Sequence, residues 1–278
     1  MTLRPADLPD FTDPPVVEVA FAVRFEPLRK LTAPEIGRFW TTAEALLPNA
    51  EEATPLPPAL ERFDDGIPGN RVFFSFGTES LGTRVILSDA NSEHLVQVQH
   101  DMFGTNWRKR EERDYPHFEA LSAVFLERFD AFVQFLADRR LGSLEPTQCE
   151  LTYVNYISAL EGQEPVFAKL PTMVSVLQPA SADSQVLRHA EDFNLSFRYR
   201  FNSDNGGTLG RLYLQVAPMI TPDDGKPVYL MTLTAKGPPE SKNKEGIIRF
   251  FSTARQWIVR GFTEATVPAM HEKWGRKS

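Results

Sequence analysis

Between Pro116 and Gly142 the chain places Phe118, Leu121, Phe125, Phe129, Phe132 and Leu136 three or four residues apart. That spacing puts all six on one face of an α-helix. Pro116 suits the first helical position, Asp114 is a candidate cap, and Gly142 is a natural stop. An aromatic stripe of this size demands a broad apolar partner, since burial is worth roughly 25 cal/mol per Å² removed from water. The preceding sequence is expected to supply that partner as a sheet.

The strand signals are clear. Val17, Val19, Phe21, Val23 and Phe25 alternate with Glu18, Ala20, Ala22 and Arg24, bounded by Pro14-Pro15 and Pro27. Thr32-Ala33-Pro34-Glu35 reads as a capping box, followed at helical spacing by Ile36, Phe39, Trp40, Ala43 and Leu46. Residues from Glu51 to Asn70 are rich in proline and glycine and read as a loop. Arg71–Phe76, Thr83–Leu87 and His94–Phe103 read as an antiparallel meander leading into the phenylalanine helix.

The pattern then restarts. Cys149, Leu151, Tyr153 and Ile157 share one strand face, with Glu150, Thr152 and Tyr156 on the other. Residues 163–189 carry Pro165, Pro171 and Pro179 and give no clear element. Phe193, Leu195, Phe197, Tyr199 and Phe201 alternate with Asp192, Asn194, Ser196, Arg198 and Arg200. Asp204-Asn205-Gly206-Gly207 reads as a hairpin turn. Leu209–Ala217 and Val228–Ala235 follow, joined by Pro222-Asp223-Asp224-Gly225. Ile247, Phe250, Phe251, Ala254, Trp257, Ile258 and Phe262 mark a second long amphipathic helix, and Met270 and Trp274 belong to a last short turn.

The order predicts an α+β protein with two β-α-β-β-β-α-like halves, residues 1–145 and 146–278. These would form a largely antiparallel sheet with long helices on one side. Of the 278 residues 42% are hydrophobic, enough for a substantial core.

Function is less legible. Leu95 to Phe103 reads as one extended strand, with Val96, Val98, His100 and Met102 on an apolar face and Gln97, Gln99 and Asp101 on a polar one. Such polarity can simply be the solvated face of an antiparallel sheet. Repeated glutamine also suits recognition of backbone, because each amide offers donors and an acceptor. Asn106, Trp107 and Arg108 follow as a packing corner or a clamp. Arg198, Arg200, Arg211 and Tyr213 form a second polar face with the composition of an interface.

Nothing resembles a catalytic site. G-x-G-x-x-G, P-loop, G-x-S-x-G and H-E-x-x-H motifs are absent. His94, His100, His117, His189 and His271 show no ligand spacing, Cys149 points inward as an inert thiol, and Asp64-Asp65-Gly66 and Asp223-Asp224-Gly225 read as turns. Neither a metal nor another cofactor is expected. A net charge of −7 disfavours nucleic acid without excluding a local basic patch. One cysteine, no membrane-length apolar run and no leader-like start suggest a cytoplasmic protein.

Pro14-Pro15-Val16-Val17-Glu18-Val19, Gln97-x-Gln99-x-Asp101-x-Phe103-x-x-Asn106-Trp107-Arg108, Tyr153-x-Asn155-Tyr156-Ile157 and the aromatic C-terminal helix with Trp274 together resemble a sporadically distributed bacterial family of uncharacterised proteins. The resemblance implies a shared fold and no mechanism, and the patchy occurrence of the family hints at mobile or defence-linked gene neighbourhoods. The leading expectation is a non-catalytic binding or accessory subunit of a bacterial multi-component system. It would recognise a protein partner, or a second copy of itself, through the polar sheet face. The rival is an enzyme or small-molecule binder with a helix-grip pocket between sheet and helices, lined by His100, Tyr153 and Asn155.

Overall fold

The structure, a computed structural model, describes residues 5, 7–57, 60, 61, 63, 82–110, 114–159, 193–202 and 206–277. Proline-bounded alternation produces strand β2 (Val16–Phe25), which follows the two-residue β1 (Asp10–Phe11). A bulge between Val16 and Glu18 buries Val16 and leaves Val17 only half-buried, so the regular alternation begins at Val19 rather than Val17. Helix α1 (Ala33–Ala43) follows, then β3 (Asn49–Ala53), β4 (Arg84–Ser88), β5 (His94–Gln99), β6 (Met102–Arg108) and α2 (His117–Asp138). After β7 (Pro146–Ile157) come β8 (Leu195–Asn202), β9 (Thr208–Ile220), β10 (Pro227–Gly237), α3 (Lys244–Ala265), α4 (Pro268–Lys273) and β11 (Arg276–Lys277).

Among the described residues nine strands form one antiparallel sheet in the order β3-β4-β5-β6-β2-β7-β10-β9-β8, which is the expected α+β architecture. The first strand of each run, β2 and β7, lies beside the last, β6 and β10. β2 and β7 pair with each other at the middle, so the sheet and the core are continuous across residue 145.

Helices α2 and α3 pack on the same face, against the side of β2 that carries Phe21. The Phe21 ring stacks on Phe125 of α2 at 5.4 Å and meets Phe251 of α3 edge-on at 5.1 Å. Phe125 and Phe251 meet at 5.1 Å. Phe103 of β6 stacks on Phe132 at 4.8 Å, extending the aromatic layer along α2. Offset and edge-on geometries keep the electron-poor ring edges against electron-rich faces.

Several expectations are corrected. His94–Phe103 is not one strand but a hairpin, reversing at His100-Asp101. Neither turn residue is a glycine or asparagine. The reversal is held by tertiary bonds, the Phe25 and Leu28 amides donating to the Asp101 and His100 carbonyls. His100 therefore leaves the apolar face, and Met102 joins the open one. Residues 49–53, partly read as loop, form edge strand β3, which pairs with β4 despite its Asn-Ala-Glu-Glu-Ala composition. The Thr32 side chain caps nothing, the Glu35 amide donating to the Thr32 carbonyl instead, and the Glu35 carboxylate turns to Arg38 and Arg139 rather than back to Thr32. Leu47, not Leu46, enters the core. Residues 71–76, 163–189, 64–66 and 203–205, together with His189, lie outside the described residues.

The chain ends are fastened together. β1 pairs with β11, and Phe11 meets Phe262, His271 and Trp274 edge-on. Burial, reinforced by the Arg276 charge, lowers the pKa of His271, whose Nε2 lies 2.8 Å from the Thr266 hydroxyl. The folded form thus favours the neutral ring. Its contribution is complete above the unfolded pKa of about 6.5 and is lost as pH falls below it. Melting temperature should drop on acidification from about pH 7 to 5, and His271→Gln should flatten that slope. Phe125→Ala, which opens the ring junction, should cost about 3–5 kcal/mol in a urea titration.

Candidate functional site

With the helices on one face, the described residues leave the opposite face of the sheet uncovered by any helix. Strand alternation and register determine what stands there. Its centre is low: Ala20 and Ala22 of β2 adjoin Gly104 of β6 and Thr152 of β7. Gly104 is required, since a Cβ there would lie 2.8 Å from the Phe21 carbonyl oxygen.

On one flank runs a relay of polar side chains. Arg84 donates to Gln97 Oε1 (3.1 Å), Gln97 Nε2 to Asn106 Oδ1 (2.8 Å), and Asn106 Nδ2 to Glu18 Oε1. Arg108 closes it on Glu18 Oε2 at 3.1 Å. Burial lowers the Arg84 pKa, and its Nε has no hydrogen-bond partner among the described residues.

The second group lies at the hairpin end. Gln99, fully buried, donates to Asp101 Oδ1 (2.7 Å), and Arg24 bonds Glu150 at 3.1 Å. Glu150 also pairs with Lys236 at 3.1 Å and accepts from Gln148 at 2.8 Å. Burial alone would raise the Glu150 pKa, but Lys236 and Arg24 together hold it below the ordinary value. The carboxylate therefore stays charged, and its stabilisation fades only as pH falls through that lowered value.

This second group holds a strap. The described residues of 54–63 pass over the open face. The Leu56 amide donates to Gln99 Oε1 (2.9 Å), and Gln99 Nε2 donates back to the Leu56 carbonyl (3.0 Å). The Glu61 amide donates to Gln148 Oε1 at 2.7 Å. The Glu61 carboxylate accepts from Arg211 Nη1 and the Tyr213 hydroxyl, and Arg211 lies 4.7 Å from the centre of the Phe63 ring. From β5 to β7 is three strand spacings, about 14 Å. The strap is thus held at two separate points, Leu56 over β5 and Glu61 over β7. Pro55 and Pro57, on either side of Leu56, favour an extended backbone there. Burial and the Glu61 bond push the Tyr213 pKa up to about 12, so it is a hydroxyl donor at all ordinary pH.

The ten residues singled out by sequence therefore separate. Gln97, Asn106 and Arg108 belong to the relay. Gln99 is buried beneath the strap that it holds and Asp101 is buried beside it, so neither is presented to solvent. Arg211 and Tyr213 seat Glu61, Arg198 lies 5.4 Å over the Tyr213 ring, and Arg200 is exposed at the edge. Trp107 is on the other face, 2% exposed in the core, with its indole nitrogen donating to Glu93 at 3.1 Å. Glu18, Arg84, Gln148 and Glu61 were missed. Glu18 was legible as an outward residue of β2, but Glu61 sat in a stretch read only as loop.

Two other places gather polar groups. Asp89, Glu93 and His94 bring donor atoms within 4.8 Å of one another, although the Asp89 carboxylate already accepts the amides of Asn91, Glu93 and His94 to hold the β4–β5 turn. A recess of about 60 Å³ between sheet and α3 is lined by Tyr115, Tyr153 and Asn155 but not His100. The recess beside Tyr115 has room for a few water molecules, against several hundred Å³ for an ordinary ligand pocket, whereas a cavity of about 250 Å³ lies between the sheet and α2 beside Trp107 and Leu121. The Tyr115 and Tyr153 hydroxyls meet at 3.0 Å, and burial holds the Tyr115 pKa well above its usual value.

No model of a known protein family matches the chain, and no functionally curated protein matches it. Among the described residues no helix is long and apolar enough to cross a membrane.

Gln99→Ala removes both bonds to Leu56. Hydrogen exchange at the Leu56 amide should accelerate strongly, while global stability should fall by only about 1–3 kcal/mol.

Proposed function

We propose that this protein is a cytoplasmic, non-catalytic binding subunit that captures a protein partner on its open sheet face. Its place in a bacterial multi-component system rests on the family resemblance alone. The observation that carries the reading is the charge of that face. Its strands carry Arg24, Arg84, Arg108, Arg198, Arg200, Arg211 and Lys236 against Glu18, Glu51 and Glu150, with Asp101 at the hairpin and Glu61 on the strap as further acids, in a chain whose net charge is −7. Cations concentrated on one face of an acidic protein focus the field there and steer anionic surfaces towards it. Arg198 and Arg200 stand at the exposed edge, beside Tyr213, and arginine and tyrosine carry a disproportionate share of interface energy.

Arg198→Glu/Arg200→Glu inverts the exposed edge without touching the core. In affinity purification from the native cell, partners retained by the wild-type chain should be lost by this variant. Its melting temperature should stay within about 2 °C, as expected for surface substitutions. An unchanged set of partners would defeat the reading.

A further inference from the structure

The strap makes the open face more specific than a cationic surface. Gln99 reads both the donor and the acceptor of the Leu56 backbone, and Gln148 reads the Glu61 amide, so the grip is on main chain that any extended peptide possesses. Among the described residues the strap's side-chain contacts are the Glu61 carboxylate and the Phe63 ring beneath Arg211, and the charged one is the carboxylate. Arg200 and Arg211 face each other directly across β8 and β9, a like-charge pairing that is unfavourable until an anion sits beside it. Glu61 supplies that anion to Arg211 and Tyr213. Amides that read main chain and a seat for a carboxylate thus lie along one face, and the chain's own segment occupies them.

We propose that the strap stands in for a peptide ligand. The site accepts an extended, proline-containing segment of a partner that carries a carboxylate five residues after the position read by Gln99, and the strap leaves to admit it. This rests on the reading of the open face as a partner-binding surface. A tethered strap competes at an effective concentration in the millimolar range. A partner peptide therefore displaces it only with added contacts, and the exposed Arg198 and Arg200 lie next to the carboxylate seat to provide them.

The test uses a labelled synthetic peptide of residues 54–63 and the full chain with residues 55–63 replaced by a glycine-serine linker. Fluorescence anisotropy should show the peptide binding the replaced chain, and binding the wild type at least about tenfold more weakly. A peptide carrying Glu61→Gln should lose at least about tenfold, the loss expected for bonds to a charged group. Should the replaced chain fail to fold, the full chain with Glu61→Ala keeps the strap but weakens it, and should bind the labelled peptide more tightly than wild type. A folded variant that ignores the peptide overturns the proposal, as does equal binding of the Gln peptide or preferential binding of a single-stranded oligonucleotide. Because Arg198 and Arg200 are unaltered in these chains, partner capture that survives alongside a null peptide result removes the stand-in role and leaves the binding surface itself intact.

Discussion

The contact of Phe21 with Phe125 and Phe251 is the junction on which the rest of the molecule depends. One ring comes from the central strand and one from each long helix, with centroids 5.1–5.4 Å apart. Because β2 also pairs with β6 and β7, the same residue couples the helical layer to both directions of the sheet. The helices are committed to one face, and the other face is left to be polar. Large aromatic burial on one side thus makes a recognition surface possible on the other.

On that open face the polar groups are paired almost throughout, which is the condition for keeping them partly buried at tolerable cost. Arg84, Gln97, Asn106, Glu18 and Arg108 hold one another in a single chain of bonds, fixing each amide's orientation. Glu150 is stabilised in its charged form between Lys236 and Arg24. Such networks act as rigid templates. A segment laid over them meets preset donors and acceptors, and the strap is such a segment.

The legibility of the sequence followed the range of the interactions. β2, β7 and the two long helices were readable because period-two and three-to-four spacing are local consequences of one buried face. The same logic put Glu150 and Thr152 outward and Tyr153 inward, as found. The hairpin at His100-Asp101 was not readable, since no turn-forming residue marks it and its carbonyls are satisfied by Phe25 and Leu28, more than seventy positions away in sequence. β3 was equally opaque: Asn49–Ala53 has weak strand propensity and exists because β4 offers it an edge. The candidate site suffered most from these errors. Treating Leu95–Phe103 as continuous strand placed Gln99 and Asp101 at a surface, whereas the reversal and the strap bury them.

The sequence by itself determined the fold class, the two aromatic helices, the apolar face of each central strand and the polar character of the opposite one. Each of these is set by residues within a few positions of one another. Only the tertiary structure decided the strand order, the sharing of Phe21 between both helices, the turning of Trp107 into the core and the meeting of Glu61 with Arg211 and Tyr213. Those depend on which distant segments become neighbours once the sheet closes, and no local periodicity encodes that choice.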